Sequence, residues 1–172
     1  MRSLLLVLLA VSAFAQPKTD AQIAEMKKLS FLVGEWRGEG WIQTGPERRE
    51  FKGAERIEPK LSGLLLLIEG LHHRKEAGHE NEVAHEALAV VSYDPRSQSF
   101  RFRAYTATGQ TVESDAKVSP KQLEWGFEPT PGMKIQYVIK IDEKGRWVET
   151  GDMSREGAPP RRFFEMTLTK AN

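Results

Sequence analysis

The chain has 172 residues, with 25 basic against 24 acidic side chains and a formal net charge of +1 at pH 7. So even a balance argues against nucleic acid or an anionic membrane surface as the main partner. There is no cysteine, which excludes disulfides, thiolate catalysis and a lipid-bearing cysteine as a tether.

The first segment runs from Met1-Arg2-Ser3 through the apolar stretch Leu4–Val11 to Ala13-Phe14-Ala15. A positive charge, an apolar core and an A-x-A site in that order predict a secretory signal peptide over residues 1–15. Its apolar stretch is shorter than the roughly 20 residues needed to cross a bilayer, so no membrane span is expected after cleavage. The expected product is exported, periplasmic or extracellular. Residues 16–172 are long enough for one domain with its own core.

Thr19-Asp20 offers an N-cap, and Ile23, Met26 and Leu29 to Leu32 follow at roughly helical spacing, which predicts a helix over 20–32 ending before Gly34. Everything after it reads as strand: 34–43, 49–58, 63–73, 85–93, 98–106, 109–118, 121–128, 133–141, 145–153 and 162–170. Turn-forming residues separate the apolar runs, among them Thr44-Gly-Pro46, Leu61-Ser-Gly63, Tyr93-Asp-Pro95, Pro129-Thr-Pro-Gly132 and Asp142-Glu-Lys-Gly145. Ten short strands with no helices between them predict an all-β fold, an up-and-down antiparallel β-barrel of about ten strands with a short N-terminal helix. Closure removes the edges that an open sheet would have to protect.

Alternation along the strands then predicts an inner face. It selects Phe51, Gly53, Glu55 and Ile57, then Phe100, Phe102, Ala104 and Thr106, then Val112, Ser114 and Ala116. Leu123, Trp125 and Phe127 follow, with Ile135, Tyr137 and Ile139. The run Leu64–Ile68 is apolar on both faces, so the leading helix is expected either to cover its outer side or to plug a barrel end. In the first strand, glycines 34, 38 and 40 leave bare backbone where another element can approach closely. The polar segment 74–84 reads as a long solvated hairpin loop.

Gly34-Glu35-Trp36 after a short helix is similar to the lipocalin G-x-W signature, and the chain resembles the calycin-type barrels: lipocalins, fatty-acid-binding proteins and nitrobindins. A closer resemblance, over nearly all of residues 16–172, is to an uncharacterised family of exported bacterial barrels, a domain of unknown function. The matching segments include Gly34-Glu-Trp-Arg-Gly-Glu-Gly-Trp41, Leu67-Ile-Glu-Gly70, Ala87-Leu-Ala-Val-Val-Ser-Tyr-Asp94, Phe100-Arg-Phe-Arg-Ala-Tyr105, Trp125-Gly-Phe127 and Phe163-Phe-Glu-Met-Thr-Leu168. The lipocalin likeness implies that Trp36 closes the barrel base and that Arg161 or Arg162 packs on it. The uncharacterised exported family implies a fold and a location but no activity. Nitrobindins bind haem through a histidine near the C-terminus, and residues 155–172 contain none, so haem is not expected as a cofactor.

The four histidines, at 72, 73, 79 and 85, flank a loop rich in glutamate. Neighbours such as His72 and His73 point to opposite faces of a strand, so no metal site is expected and the histidines read as solvated strand ends and loop residues. An inward Glu55 or Glu149 beside Tyr137 could act as a general acid or base. No nucleophile elbow, zinc motif or phosphate loop accompanies them, and an ion pair with an inward arginine is the ordinary explanation of Glu55. Arg101 and Arg103 are expected to pair across strands with Glu113, Asp115 or Glu124 rather than form a basic strip. The first expectation for function is therefore a barrel holding a small, mostly apolar molecule. Trp36 would lie at the closed end, and Glu55, Phe102, Thr106, Ser114, Trp125 and Tyr137 would line the pocket. The alternatives are an enzyme of undefined reaction using an inward Glu and Tyr, and a filled barrel that acts as a structural or partner-binding module.

Overall fold

The computed structural model describes residues 19–171, so the expected signal segment 1–15 lies outside the described residues. One α-helix, α1 (Asp20–Met26), runs into a 3-10 helix over Lys27–Leu32. The expected single helix over 20–32 therefore tightens after Met26. The ten strands are β1 (Gly34–Ile42), β2 (Arg49–Lys60), β3 (Leu65–Arg74), β4 (Val83–Asp94) and β5 (Ser99–Thr106), followed by β6 (Thr111–Ser119), β7 (Gln122–Thr130), β8 (Met133–Ile141), β9 (Trp147–Arg155) and β10 (Arg161–Lys170). Each pairs antiparallel with its neighbours in sequence, and β1 pairs with β10 to close the barrel. No strand end departs from its expected position by more than two residues. Alternation and turn chemistry carry enough information to set these boundaries because every strand has one face turned into the core.

Closure depends on β1. Gly38 faces Leu168 in the β1–β10 ladder, and a methyl group at Gly38 would overlap the backbone carbonyl oxygen of Thr167 and crowd Leu168. Backbone cannot swing aside as a flexible side chain can. Gly38→Ala is therefore expected to destabilise the fold by about 1–3 kcal/mol, the usual cost of overpacking. Urea unfolding of the variant with an unchanged midpoint would show that the β1–β10 seam has more slack than this.

The helical segment plugs the end of the barrel from which β1 starts. Met26, Leu29 and Leu32 belong to the same buried cluster as Trp36, Ile57, Leu123, Trp147 and Leu168. The Trp36 indole Nε1 donates to the carbonyl of Leu32 at 2.7 Å, fixing the plug to β1, and Gln22 Nε2 donates to the Tyr93 carbonyl at 3.2 Å, fixing α1 to β4. Of the two roles open to the helix, plugging is the one it takes. The basic group over Trp36 is Lys170, whose Nζ stands 5.2 Å from the ring centroid. Arg161 and Arg162 begin the same strand at its far end, and Arg162 bonds Asp152 instead. The expectation for those two arginines is thus corrected: Trp36 pairs with Lys170 in the ladder, so only the end of β10 reaches it.

Irregularities gather toward the other end. Register shifts fall at His72/His73, Phe127/Thr130 and Arg162/Phe164. The last of these explains how two sequence neighbours, Phe163 and Phe164, are both buried, where strict alternation would expose one of them. The outer wall is charged. Arg101 bonds both Glu113 and Asp115, and Arg103 bonds Glu113, whereas Glu124 accepts from Gln122.

Candidate functional site

Inside the barrel, above the plugged base, lies a cavity of about 290 Å3. Its wall is built by alternation, since β2, β3, β4, β5, β7, β8 and β9 each turn every second residue toward it. One side is aromatic. Phe102 stacks on Trp125 at 4.2 Å between centroids, and Trp125 stacks on Tyr137 at 4.5 Å, giving a continuous stack of rings from β5 to β8. The tilt between successive rings is 13° and 15°, close to parallel.

The other side carries polar groups. Glu55 on β2 is 8% exposed, and its Oε1 lies 2.9 Å from His72 Nε2 on β3. Gly70, directly opposite Glu55 in the ladder, makes this possible: a Cβ at Gly70 would stand 2.8 and 2.9 Å from the two carboxyl oxygens. Phe51 stacks on the His72 ring at 4.5 Å and holds it in place. His85, across from His72 on β4, brings a second imidazole within 5.4 Å of the first. Glu149 enters from β9, accepts a hydrogen bond from Trp147 Nε1 at 3.2 Å and lies close enough to Glu55 for the charge of Glu55 to oppose its ionisation.

Burial decides the charge of this cluster. It pushes the Glu55 carboxyl up to about 8 and, with the charge of His73 adding to it, the His72 imidazole down to about 4. Burial first, then the charge of Glu55, pushes Glu149 up to about 8 against the lowering hydrogen bond from Trp147. The Tyr137 hydroxyl is raised by burial and by Glu149, and His85 is lowered by burial and by His72. Both shifts in the Glu55–His72 pair favour neutral partners, so the carboxyl O–H donates to Nε2 and the pair holds one proton without net charge. Chemically the site can do two things. It can exchange a proton through Glu55 and His72, and it can surround a small molecule with an aromatic wall and two carboxyls.

No known family model matches the chain, and no curated protein matches it. Among solved structures, the chain is similar to the crystal structure of Rv2717c from M. tuberculosis, with a TM-score of 0.62 and 13% identity. The alignment covers 86% of this chain and 97% of that one. The likeness is one of fold. Two chains so different in sequence that still superpose over most of their length share a barrel, and the chemistry inside must be argued from the residues of each.

Of the residues expected to form the pocket, Glu55, Phe102, Thr106, Trp125 and Tyr137 line the cavity. Trp36 lies outside it, in the base, edge-on to Trp147, which does face the cavity. Ser114 is not among the lining residues, and its Oγ, like Trp125 Nε1, is buried without a hydrogen-bond partner. The expected inward arginine beside Glu55 is replaced by His72. His72 itself was expected to be solvated, and it is 5% exposed. His79 does sit in the loop, where it bonds Glu82 at 2.6 Å. His72 was obscured in the sequence because Leu64–Ile68 is apolar on both faces, so the parity of β3 cannot be counted from its apolar residues.

Proposed function

We propose that this protein is an exported binding protein of the calycin type whose barrel holds one small, mostly apolar molecule in its lumen. The observation that carries the reading is the cavity of about 290 Å3 left open inside an otherwise close-packed barrel. That volume lies at the lower end of the roughly 300–1,000 Å3 usual for ligand sites, which favours a compact ligand over a long acyl chain. The aromatic wall of Phe102, Trp125 and Tyr137 supplies the apolar contact, and the Glu55–His72 pair with Glu149 supplies the polar end. Export is supported by the signal-like segment at residues 1–15. The helix–G-x-W arrangement, with the Trp36 indole closing the base, supports the calycin assignment.

Haem is not the proposed ligand. β10 offers no histidine, and the His72 nitrogen that faces Glu55 is already bonded. Native mass spectrometry of protein purified from its own host is expected to show a small-molecule adduct, absent from Ala104→Phe because the larger side chain occupies the lumen. A spectrum without any adduct after incubation in host extract overturns the reading, as does an adduct that survives unchanged in Ala104→Phe.

A further inference from the structure

The cavity lining has an imbalance of charge type. Two carboxyls, Glu55 and Glu149, reach it from different strands, and among the described residues no lysine or arginine does. Glu55 is more than nine-tenths buried, yet only its Oε1 has a hydrogen-bond partner among the described residues. Glu149 engages only its Oε2, with Trp147. Each carboxyl therefore keeps one oxygen unpaired beside enclosed space. Neither oxygen is among the buried atoms left without a partner, so both stay accessible from the cavity, where an occupant that donates hydrogen bonds can reach them.

We propose that the ligand is a small organic cation, a protonated amine on an aromatic or compact apolar body, held through its ammonium by Glu55 and Glu149. This inference rests on the binding role proposed above and assigns its ligand class. An ammonium brings three donors and no acceptor, which complements two carboxylates once its arrival has displaced their protons. The Phe102–Trp125–Tyr137 stack lines the lumen with apolar rings against which the body can pack. At about 30 Å3 for each water-sized unit, the cavity holds about ten heavy atoms, the size of an arylalkylamine. An anion such as a fatty acid would find neither lysine nor arginine among the described lining residues to receive it.

Proton linkage follows. The titratable groups facing the cavity are Glu55 on β2, His72 on β3, His85 on β4, Tyr137 on β8 and Glu149 on β9. Without ligand, burial keeps Glu55 and Glu149 protonated up to about pH 8. An arriving ammonium favours carboxylate, so binding releases a proton, and affinity rises with pH by up to about tenfold per unit for each proton released.

Isothermal titration of the folded protein with three probes of matched size tests this: phenethylammonium, phenylpropanol and hydrocinnamate. At about pH 8, near the Glu55 and Glu149 values, phenethylammonium is expected to bind at least about tenfold more tightly than either of the others. Its affinity should fall as the pH is lowered toward 6. Glu149→Gln is expected to lose about tenfold of the amine affinity and to change that of phenylpropanol much less. Glu55→Gln provides an independent second variant, with circular dichroism confirming that each is folded. Equal or tighter binding of phenylpropanol or hydrocinnamate overturns the amine assignment while leaving a binding lumen in place, as does an amine affinity indifferent to both substitutions. Failure of all three probes also overturns the assignment, and the native adduct measurement then decides separately whether the lumen binds anything.

Discussion

Trp36→Ala is expected to destabilise the barrel by about 4 kcal/mol, within the range of about 3–5 kcal/mol for truncating a buried large aromatic. Trp36 is 2% exposed and meets Trp147 edge-on at 5.8 Å, so the substitution opens a void between the plug and the sheet. It also removes the donor that holds the Leu32 carbonyl at 2.7 Å, where the 3-10 helix ends, and the ring under Lys170. Trp36→Phe keeps much of the packing and loses the hydrogen bond, so it should cost about half as much. For a chain of this length each kcal/mol moves Tm by about 2–4 °C, which makes the alanine variant melt roughly 10 °C or more below the parent. Urea and thermal unfolding would measure both. A loss below 1 kcal/mol for Trp36→Ala would mean that the helical segment is not anchored through this residue.

The same residue shows how far the sequence could be read. Trp36 follows a helix and a glycine, and β1 alternates small residues with large ones, so both the strand and its buried tryptophan can be inferred locally. The partner above Trp36 cannot. Lys170 is far away in sequence and meets Trp36 only through the β1–β10 register, which closes the barrel. The wall of the cavity divides in the same way. Phe102, Trp125 and Tyr137 lie on strands with clean alternation and are legible as inward residues. Their stacking into one wall depends on neighbouring registers across β5 to β8, which no single strand encodes. Glu55 is legible as inward because Phe51 and Ile57 flank it at even spacing. Its proton partner is not: His72 lies on a strand apolar on both faces, and its pairing with His85 is set by the hairpin and the bulge at His72/His73. Counting outward from a buried Glu55 would have supplied the missing signal, since a carboxyl enclosed without an arginine needs some other hydrogen-bonding neighbour.

The fold and the site also draw on different parts of the barrel. The plugged end concentrates the fully buried residues Leu29, Leu32, Ile57, Leu123, Trp147 and Leu168, a close-packed base that resists change. The bulges at His72/His73, Phe127/Thr130 and Arg162/Phe164 lie toward the opposite end, where the ladder can yield without loss of the base. Polar groups that are costly to bury sit between the two. The rigid base fixes Trp147, Trp147 orients Glu149, and the ladder of β2 with β3 fixes Glu55 against His72.

Stability should therefore fall as the pH rises from about 6.5 to about 8. In the unfolded chain the glutamates lose their protons near 4.5 and His72 near 6.5, whereas in the folded chain Glu55 and Glu149 retain theirs to about 8 and His72 gives its own up near 4. From about 4.5 to 6.5 the extra proton on folded Glu55 is balanced by the one that unfolded His72 carries, so that pair contributes almost no slope. Above 6.5 the balance ends. The folded state then holds two more protons than the unfolded state, and raising the pH pulls the equilibrium toward unfolding. Over one and a half pH units this amounts to on the order of 4 kcal/mol, levelling off above about 8. Urea unfolding across a pH series should trace the decline. Glu149→Gln removes one of the two protons and should roughly halve the slope, and Glu55→Gln should do the same. A flat or rising profile between 6.5 and 8 would mean that the two carboxyls ionise freely in the folded protein. The cavity would then be wet and its acids already charged without ligand, and the proposed amine binding would lose its proton release while keeping its charge complementarity.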